Sequence, residues 1–417
     1  MVRVAPPVRD RGAPTGTGLP EGHRAGARES RRASLAIFLA GIAVFAMLYE
    51  PQALLPELTR AFGVSPVAST LAISVSTAGL ALGLLVLGPL SDRRGRTSIA
   101  HVGLAVSAAL AVVVPLAPSW ELLLVVRALQ GLALAALPAV GVAYLREELH
   151  ASITARAIGL FIGGNAIGGL TGRLLGGLLV DVGGWRTACA AIAALGVACT
   201  VAVRLLLPPS RRFVPVPRGA PLARQLSQAV TDPVLLGIYG VAALLMGSFV
   251  AVYNAATFRL EGPYGLPTSL ASLVFLSYLL GSAASPVAGS LAGRSSPRVV
   301  VPVSVAVMGG GLALTLAAPL GLFVAGIAVV TVGFFAAHAV ASGWVATRAA
   351  LGGRPVGQAA ALYSFWYYAG SSVGGTVAGR AWGAGGWPAV VLFTGSMTAA
   401  ALLLTLVLGR TRSLVAD

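Results

Sequence analysis

The chain has 417 residues, of which 57% are hydrophobic and 10% charged, with a mean hydropathy of +0.87, and so few polar groups cannot cover a soluble surface of this size. The formal net charge of +16 would suggest a nucleic-acid partner in a soluble protein. Here all 29 basic residues are arginines, and they are concentrated in particular loops between apolar segments, so no nucleic-acid partner is expected. The two cysteines, Cys189 and Cys199, share one apolar segment, which argues against a disulfide framework and a metal site.

Residues 1–33 are rich in arginine, proline and glycine and are predicted to form a disordered cytoplasmic tail. Ser30-Arg31-Arg32, ahead of the first apolar run, is similar to a twin-arginine export signal. The run carries Glu50, however, and offers no clear small-residue cleavage site. We therefore interpret it as an uncleaved first membrane helix.

Twelve stretches of roughly 20 residues that are nearly free of charge predict twelve membrane-spanning helices. They lie near 34–56, 66–90, 97–117, 120–145, 155–180, 186–207, 233–257, 268–292, 298–318, 320–347, 357–380 and 387–408. The predicted fold is all-α and integral to the membrane, in two pseudo-symmetric bundles of six helices. Residues 34–207 form the N-terminal bundle, 208–232 a cytoplasmic central loop, 233–409 the C-terminal bundle and 410–417 a cytoplasmic tail.

The distribution of arginines sets the orientation of these helices. Most arginines fall in the N-terminal tail, the central loop, the turns after helices 2, 4, 8 and 10, and the C-terminus, whereas the predicted outer loops hold only Arg60, Arg186 and Arg259. Because arginine-rich loops stay on the cytoplasmic side, both termini are expected there.

The two halves of the chain repeat one another. Three patterns recur in the same order and at a nearly constant separation, which indicates a duplicated six-helix unit. The pairs are Tyr49-Glu50 with Tyr253-Asn254, Gly88-Pro89-Leu90 with Gly289-Ser290-Leu291, and the run from Gly164 to Gly169 with the run from Gly370 to Gly375.

From about Ser34 to Arg410 the chain resembles the major facilitator superfamily. Gly88 to Arg96 matches the superfamily's loop signature, and Leu123 to Gly131 resembles its fourth-helix motif, in which an intramembrane arginine is followed by a glycine. The helix-5 run resembles the antiporter signature of drug:proton exporters, with Asn165 where proline is usual. Three further segments are similar to a bacterial subgroup of inner-membrane proteins described as similar to arabinose efflux permeases: Tyr49 to Pro56, Gly163 to Arg173 and Gly333 to His338.

The resemblance implies a multi-pass transporter of the bacterial inner membrane, in the twelve-helix drug:proton antiporter-like branch, that works by alternating access. The expected partners are a small organic molecule, protons and membrane lipid, with no cofactor, and the protein is expected to be a monomer. We expect proton-coupled export; a proton-coupled importer and a non-transporting receptor stay open. No Walker-type loop occurs, and no nucleophile, base and orienting group form a recognisable set, so the chain is not expected to be an enzyme.

The loop signature implies a cytoplasmic latch that holds the halves together in the outward-open state and breaks during transport. Asp92 would cap the start of helix 11, and Arg93 and Arg96 would pair with acids at the end of helix 4. The alternative is a set of solvated charges. Gly293 stands at the aspartate position of the second copy, where we expect a weaker latch. The latch candidates are Gly88, Asp92, Arg93, Gly95, Arg96, Glu147 and Glu148.

Four charged or titratable residues lie within predicted helices and are the candidates for proton coupling. Glu50 is the clearest embedded acid, although it lies in the outer half of helix 1, where an external vestibule is an alternative environment. Arg127 is expected to face a cavity or to act as a structural hub. Arg173 would balance Asp181 or a cavity charge, or anchor by snorkelling. His338 is either a titrating group or a packed hydrogen-bonding residue.

Small and aromatic residues complete the predicted site. Glycines are expected to allow close, mobile helix packing across the interface between the halves: Gly164, Gly168, Gly169, Gly172, Gly370, Gly374 and Gly375. An amphipathic substrate cavity is predicted from polar and aromatic residues, with simple packing or lipid contact as the alternative: Tyr49, Gln52, Asn165, Tyr253, Asn254, Tyr363, Trp366 and Tyr367.

Overall fold

The computed structural model describes residues 22–215 and 229–411. Residues 1–21 of the predicted disordered tail, 216–228 of the predicted central loop and 412–417 of the predicted C-terminal tail lie outside the described residues.

Ten continuous helical segments of the described chain are long and apolar enough to cross a membrane, and a glycine pair divides two of them into two spans each. The predicted all-α fold is therefore confirmed, with twelve spans in the described residues. They are α1 (Arg28–Phe62), α2 (Pro66–Arg94), α3 (Arg96–Leu116), α4 (Trp120–Glu148), α5 (151–182), α6 (185–206), α7 (Pro233–Glu261), α8 (Thr268–Arg294), α9 (Pro297–Leu314), α10 (Leu320–Leu351), α11 (356–384) and α12 (387–409).

The two glycine pairs occupy corresponding places in the halves. Gly184, between α5 and α6, has φ of 73°, and Gly386, between α11 and α12, has φ of 60°. Both values lie in the left-handed region, which costs glycine little and other residues more. The chain therefore reverses at each outer end within two residues.

The first helix begins earlier than predicted. It starts at Arg28, inside the segment predicted to be disordered, and the residues before it dock on the turn between α4 and α5. The His23 amide donates to the Glu148 carbonyl at 2.8 Å, and the His150 amide donates to the His23 carbonyl at 3.0 Å. Composition predicts disorder for this segment, because two backbone hydrogen bonds at His23 leave no periodic pattern in the sequence.

Glycines of α5 pack on α1 within the N-terminal bundle. A β-carbon at Gly164, Gly168 or Gly172 would collide with the α1 backbone, at the carbonyls of Phe38, Ile42 and Ala46 respectively. The prediction that these glycines pack across the interface between the halves is wrong, because their face of α5 is turned to α1. The same arrangement recurs in the other half, where Gly370 and Gly374 of α11 lie against Ala243 and Gly247 of α7.

Only some of the predicted packing glycines lie near the interface between the bundles. Gly375 of α11 faces Asn254 of α7 and Ser74 of α2, and Gly169 lies beside Tyr49 and the Arg173 side chain. The bundles approach each other closely at two glycines nearer the outer surface. There Gly177 of α5 lies against Thr268 and Ser272 of α8, and Gly379 of α11 lies against Pro66 and Val67 of α2.

The bundles are closed on the outer side. Arg60 at the end of α1 contacts Glu261 at the end of α7 at 3.3 Å, and Asp181 accepts a hydrogen bond from the Ser269 amide at 2.9 Å. Two further hydrogen bonds between the bundles in the described ranges lie nearer mid-membrane, and none of these four contacts is at the cytoplasmic ends. The conformation is therefore inward-facing.

Candidate functional site

A buried ion pair joins α1 to α4 in the outer half of the N-terminal bundle. Nη1 of Arg127 lies 3.4 Å from Oε1 of Glu50, and both side chains are almost completely buried. The same guanidinium donates hydrogen bonds to the carbonyl oxygens of Met47 at 2.7 Å, Leu48 at 2.8 Å and Ala72 at 3.2 Å.

A break in α1 explains two of these carbonyl contacts. The helix is interrupted at Glu50, and Pro51 begins the next helical stretch. Proline has no N–H to donate to the carbonyl four residues earlier, at Met47, and its ring displaces the preceding turn. The Arg127 guanidinium supplies donors to the Met47 and Leu48 carbonyls instead.

Arg127 is therefore a structural centre of the bundle. Its Nη1 also donates to Gln130 at 2.6 Å, and the Gln130 amide donates to the Ser107 carbonyl of α3 at 3.3 Å. The expectation that Arg127 faces a cavity is wrong, because its side chain has no exposed surface and its donors are held by backbone carbonyls. The network binds α1, α2, α3 and α4 together.

Glu50 is less completely bonded than its partner. Its Oε2 is buried and has no hydrogen-bond partner, while Oε1 makes only the long contact to Arg127. Among the described residues it is also the one acidic side chain away from the ends of the membrane-spanning helices. A carboxylate so placed is held weakly in its charged form, because it has lost hydration and gained few donors.

A chain of buried polar groups connects the two bundles near Glu50. Nε of Arg173 on α5 donates to Oε1 of Gln52 on α1 at 2.6 Å, and Nε2 of Gln52 donates to Oδ1 of Asn254 on α7 at 2.7 Å. The Asn254 Nδ2 atom is buried without a partner. The expected pairing of Arg173 with Asp181 is wrong, because that carboxylate bonds the α8 backbone.

Aromatic rings enclose the Arg173 guanidinium. Its Cζ lies 4.1 Å from the ring centre of Tyr49 in the N-terminal bundle, 4.5 Å from that of Tyr278 and 5.3 Å from that of Phe275 in the C-terminal bundle. Such cation–π contacts stabilise a buried cation without neutralising it. Arg173 thus lies where both bundles meet, and its counterpart region in α11 carries Arg380, which is exposed.

His338 belongs to an aromatic cluster of the C-terminal bundle. Its Nδ1 is 2.9 Å from the Tyr363 hydroxyl, and its ring centre is 4.6 Å from that of Tyr367. His338 and Tyr367 are half-buried, whereas Trp366 is 42% exposed. The cluster joins α10 to α11.

The other predicted cavity residues lie deeper. Tyr253 is fully buried, and its hydroxyl bonds those of Ser277 and of Thr331, the latter at 2.6 Å. Asn165 is half-buried, and its Oδ1 has no hydrogen-bond partner. The predicted set therefore divides into buried residues (Tyr49, Gln52, Tyr253, Asn254 and Tyr363) and partly accessible ones (Asn165, Trp366 and Tyr367).

The predicted latch residues interact within the N-terminal bundle. Arg96 contacts Asp92 and lies 3.0 Å from Glu147. Gly88 accepts a hydrogen bond from Ser91 at 2.6 Å, and Gly95 approaches the Phe213 ring.

Three latch expectations differ from the structure. Glu148 accepts the backbone amides of Arg211 and Arg212 instead of an arginine side chain. Arg93 makes no ion pair among the described residues, and no contact of Asp92 with α11 is found there. The inward-facing arrangement separates the cytoplasmic ends of the bundles, so that Asp92 turns to Arg96.

Sequence reasoning missed two features of the described chain. One is the outer contact at Gly177 and Gly379, for which the sequence carries no signal, because the repeat separation of α5 and α11 does not pair these two glycines. The other is Asp232, whose carboxylate lies 2.9 Å from Arg348 and 3.0 Å from Arg354. Burial alone raises the pKa of Asp232, but hydrogen bonds from Arg348 and the Val234 amide and the two arginine charges outweigh it, so the pKa is below its usual range.

Among the described residues, no group of three or more histidine, cysteine, aspartate or glutamate side chains could hold a metal ion.

Comparison with known proteins agrees with this architecture. The family model described as Major Facilitator Superfamily matches residues 33–375. The inner membrane transport protein YnfM of Escherichia coli (strain K12) is 40% identical over 380 residues, which cover 91% of this chain and 90% of that protein. The multidrug transporter MdfA of Yersinia pestis bv. Antiqua (strain Angola) is 35% identical over 123 residues, 29% of this chain and 30% of that protein.

Solved structures show the same fold. A bacterial homolog of the human lysosomal transporter Spinster, in an inward-facing and unoccupied conformation, matches with a TM-score of 0.71 and 16% identity, covering 92% of this chain and 96% of that one. The family match and the E. coli relative show that the protein is a multi-pass membrane transporter. By the extent of these matches, the chain belongs to the Major Facilitator Superfamily.

Proposed function

We propose that the protein is a secondary active transporter of the bacterial inner membrane that exports a small organic molecule in exchange for protons. The observation that carries the proposal is the Glu50 carboxylate, buried in the bundle with Oε2 unpartnered and Oε1 3.4 Å from Arg127. The E. coli relative, an inner membrane transport protein, supports the location.

Protonation of Glu50 would change the free energy of the conformation that is closed toward the outside. With Glu50 charged, the pair with Arg127 is neutral overall; with Glu50 protonated, the Arg127 charge is left with neutral partners only, the backbone carbonyls and the Gln130 side chain. Burying an unpaired charge is costly, so protonation and conformation are coupled. Because Glu50 lies in the outer half of α1, opening the outer side would let it exchange protons with the outside.

The direction of transport is proposed from two signals. The glycine run of α5 resembles the antiporter signature of drug:proton exporters, and its glycines make the close backbone contacts with α1. The partial match to a multidrug transporter points the same way. The cytoplasmic opening of the inward-facing state is where an exporter would receive its substrate.

The surface that binds the substrate is proposed to lie on the cytoplasmic side of the hydrogen bond between Gln52 and Asn254. Arg173 and its enclosing rings form the upper end of this surface, and His338 and Tyr367 lie on the C-terminal bundle. An aromatic or amphipathic compound fits such a surface, because stacking and a few polar contacts suffice to hold it.

Everted membrane vesicles test the exchange with aromatic probes of different charge. Respiration acidifies the vesicle interior, and acridine orange quenching reports the pH gradient. Ethidium, chloramphenicol and 1-naphthalenesulfonate are added as cationic, neutral and anionic aromatic probes. Proton exchange predicts that at least one of them releases the quench in vesicles that contain the protein, but not in vesicles from cells that lack it.

The same assay separates the alternatives. Accumulation of a probe without any release of the quench contradicts proton exchange. A probe that the protein moves only together with protons, in the same direction, contradicts export and leaves the importer.

A further inference from the structure

A cavity of about 370 Å³ lies at the cytoplasmic ends of α8, α9 and α10, away from the site described above. Its wall contains two arginines, a tryptophan and three glycines: Arg298, Arg348, Trp344, Gly289, Gly293 and Gly343. No carboxylate is among the described residues that line it.

The corresponding place in the N-terminal bundle is filled by an ion network. There Arg96 contacts Asp92 and Glu147, and the Phe213 ring lies 5.8 Å from the Arg96 guanidinium. Glu148 beside them accepts two backbone amides. Acidic side chains and an aromatic ring therefore surround Arg96 in this half.

The second copy keeps cations but has lost the acids. Gly293 stands in the place of Asp92, and the segment Arg348-Ala349-Ala350 lines up with Arg146-Glu147-Glu148. Arg294 likewise stands in the place of Arg93. Arg348 is paired with Asp232, which does not line the cavity, so Arg298 is the cavity arginine without an acidic partner among the described residues.

Several hydrogen-bond donors border this space. The Arg298 guanidinium makes no hydrogen bond or ion pair within the described ranges, and only its backbone amide is bonded, to Ser296 Oγ at 3.2 Å. Arg348 pairs through Nε with Asp232 at 2.9 Å, and its side chain also lines the cavity. The indole of Trp344 is half-buried in the wall and can only donate.

We propose that this cavity binds a phosphate-bearing anion, with Arg298 as its principal ligand. Arginine pairs two N–H groups with a phosphate, and basic pockets between helices at the cytoplasmic surface suit anionic head groups. The anion takes the place of the carboxylates that the second copy lacks. A phospholipid head group and a soluble phosphate ester share this chemistry.

Two matched pairs of variants test the proposal. Arg298→Gln removes the cavity charge, and Arg294→Gln removes an exposed charge nearby that does not line the cavity. Gly293→Asp restores the acid of the first copy, and Gly293→Asn adds nearly the same volume without charge. A β-carbon at Gly293 meets open space, so both side chains fit.

Binding is measured on purified, delipidated protein in detergent. Native mass spectrometry counts bound dioleoylphosphatidylglycerol, with dioleoylphosphatidylcholine as the zwitterionic comparison, and glycerol 3-phosphate is titrated separately as the soluble ester. Arg298→Gln and Gly293→Asp are expected to weaken binding about tenfold or more, because each removes a charge-assisted contact. Arg294→Gln and Gly293→Asn are expected to bind like the wild type.

The source of the phosphate follows from the two titrations. Binding of the phospholipid alone assigns a lipid site, and displacement of the lipid by glycerol 3-phosphate assigns a site for soluble esters; both support the proposal. Equal binding by Arg298→Gln and Arg294→Gln of the ligand that the wild type binds overturns it. If Gly293→Asp fails to fold, the arginine pair decides the matter alone.

Discussion

Gly379 of α11 lies so close to Val67 of α2 that a β-carbon on the glycine would be 2.6 Å from the Val67 α-carbon. The contact joins the C-terminal bundle to the N-terminal bundle on the outer side, and its counterpart joins Gly177 of α5 to Ser272 of α8. Neither position has room for a larger residue, because a β-carbon would collide with the Val67 backbone at Gly379 and with the Ser272 side chain at Gly177. The two contacts therefore hold the inward-facing state closed toward the outside.

Gly379→Leu should open the outer side. The new side chain has no room between α11 and α2, so the bundles must separate there and the outward-open population must rise. Double electron–electron resonance measures the distance between spin labels at Glu121→Cys and Leu322→Cys, on the outer ends of α4 and α10. We expect a longer distance in the variant.

Gly383→Leu is the matched control, since it lies one turn further along α11 and a β-carbon there meets nothing. It should leave the distance distribution of the wild type unchanged. An unaltered distribution in Gly379→Leu would mean that this contact does not hold the outer side closed.

Arg127→Met should destabilise the N-terminal bundle strongly. The change leaves the Met47 and Leu48 carbonyls without their donor and Glu50 without its partner, a loss of about 3 kcal/mol when a buried pair is broken. Thermal unfolding in detergent measures the fall in Tm. Arg146→Met, at an exposed arginine of the same helix, should change Tm little; equal effects of the two changes would contradict the structural role.

Asp232 should make stability depend on acid pH. Burial raises the pKa of Asp232, but the contacts with Arg348 and Arg354 lower it by more than burial raises it. The pKa in the folded protein therefore lies below the usual value of about 3.9. The stabilisation is therefore complete above that usual value and is lost as pH falls through the lowered folded pKa. Asp232→Asn should lower Tm at pH 7.

The difference in Tm between wild type and Asp232→Asn should then shrink as the pH approaches 3. Glu121→Gln, at an exposed acid of α4, should show no such convergence. A difference that stays constant from pH 7 to pH 3 would show that the Asp232 charge does not stabilise the fold.

Arg173→Leu should slow transport strongly while the protein stays folded. Arg173 contacts both bundles at the upper end of the proposed substrate surface, whereas Arg380 is exposed on α11. Initial rates with the probe that the wild type moves should fall about tenfold or more in Arg173→Leu, as for loss of a charge-assisted contact. Arg380→Leu should retain most of the rate, and the reverse order would place the surface elsewhere.

The fold could be predicted from the sequence because the length of each apolar stretch and the excess of arginines in cytoplasmic loops can be read segment by segment. Twelve spans and their duplication follow from stretches that the bilayer requires and from recurring motifs. The first helix is predicted near 34–56, and its earlier start at Arg28 does not follow from composition, because a single bridge at His23 orders residues of disorder-like composition. Composition does not register one long-range contact.

The candidate site was predictable as a set of residues but not as an arrangement. Glu50 and Arg127 stood out as charges in apolar helices, yet their pairing depends on the break at Pro51, which frees the carbonyls that Arg127 bonds. Arg173 was expected to seek an acid and instead lies among aromatic rings and Gln52. Such choices depend on which helix faces are turned together, and one sequence does not specify them.

The central claim is that Glu50 couples proton movement to transport, and proteoliposomes loaded with the transported probe test it most directly. The comparison is between uphill accumulation driven by a pH gradient and probe-for-probe exchange without one, in wild type, Glu50→Gln and the control Glu121→Gln. We predict that Glu50→Gln loses uphill accumulation and keeps exchange, because it moves between states without a proton, while the control behaves like the wild type. Uphill accumulation by Glu50→Gln at the wild-type level would contradict the claim.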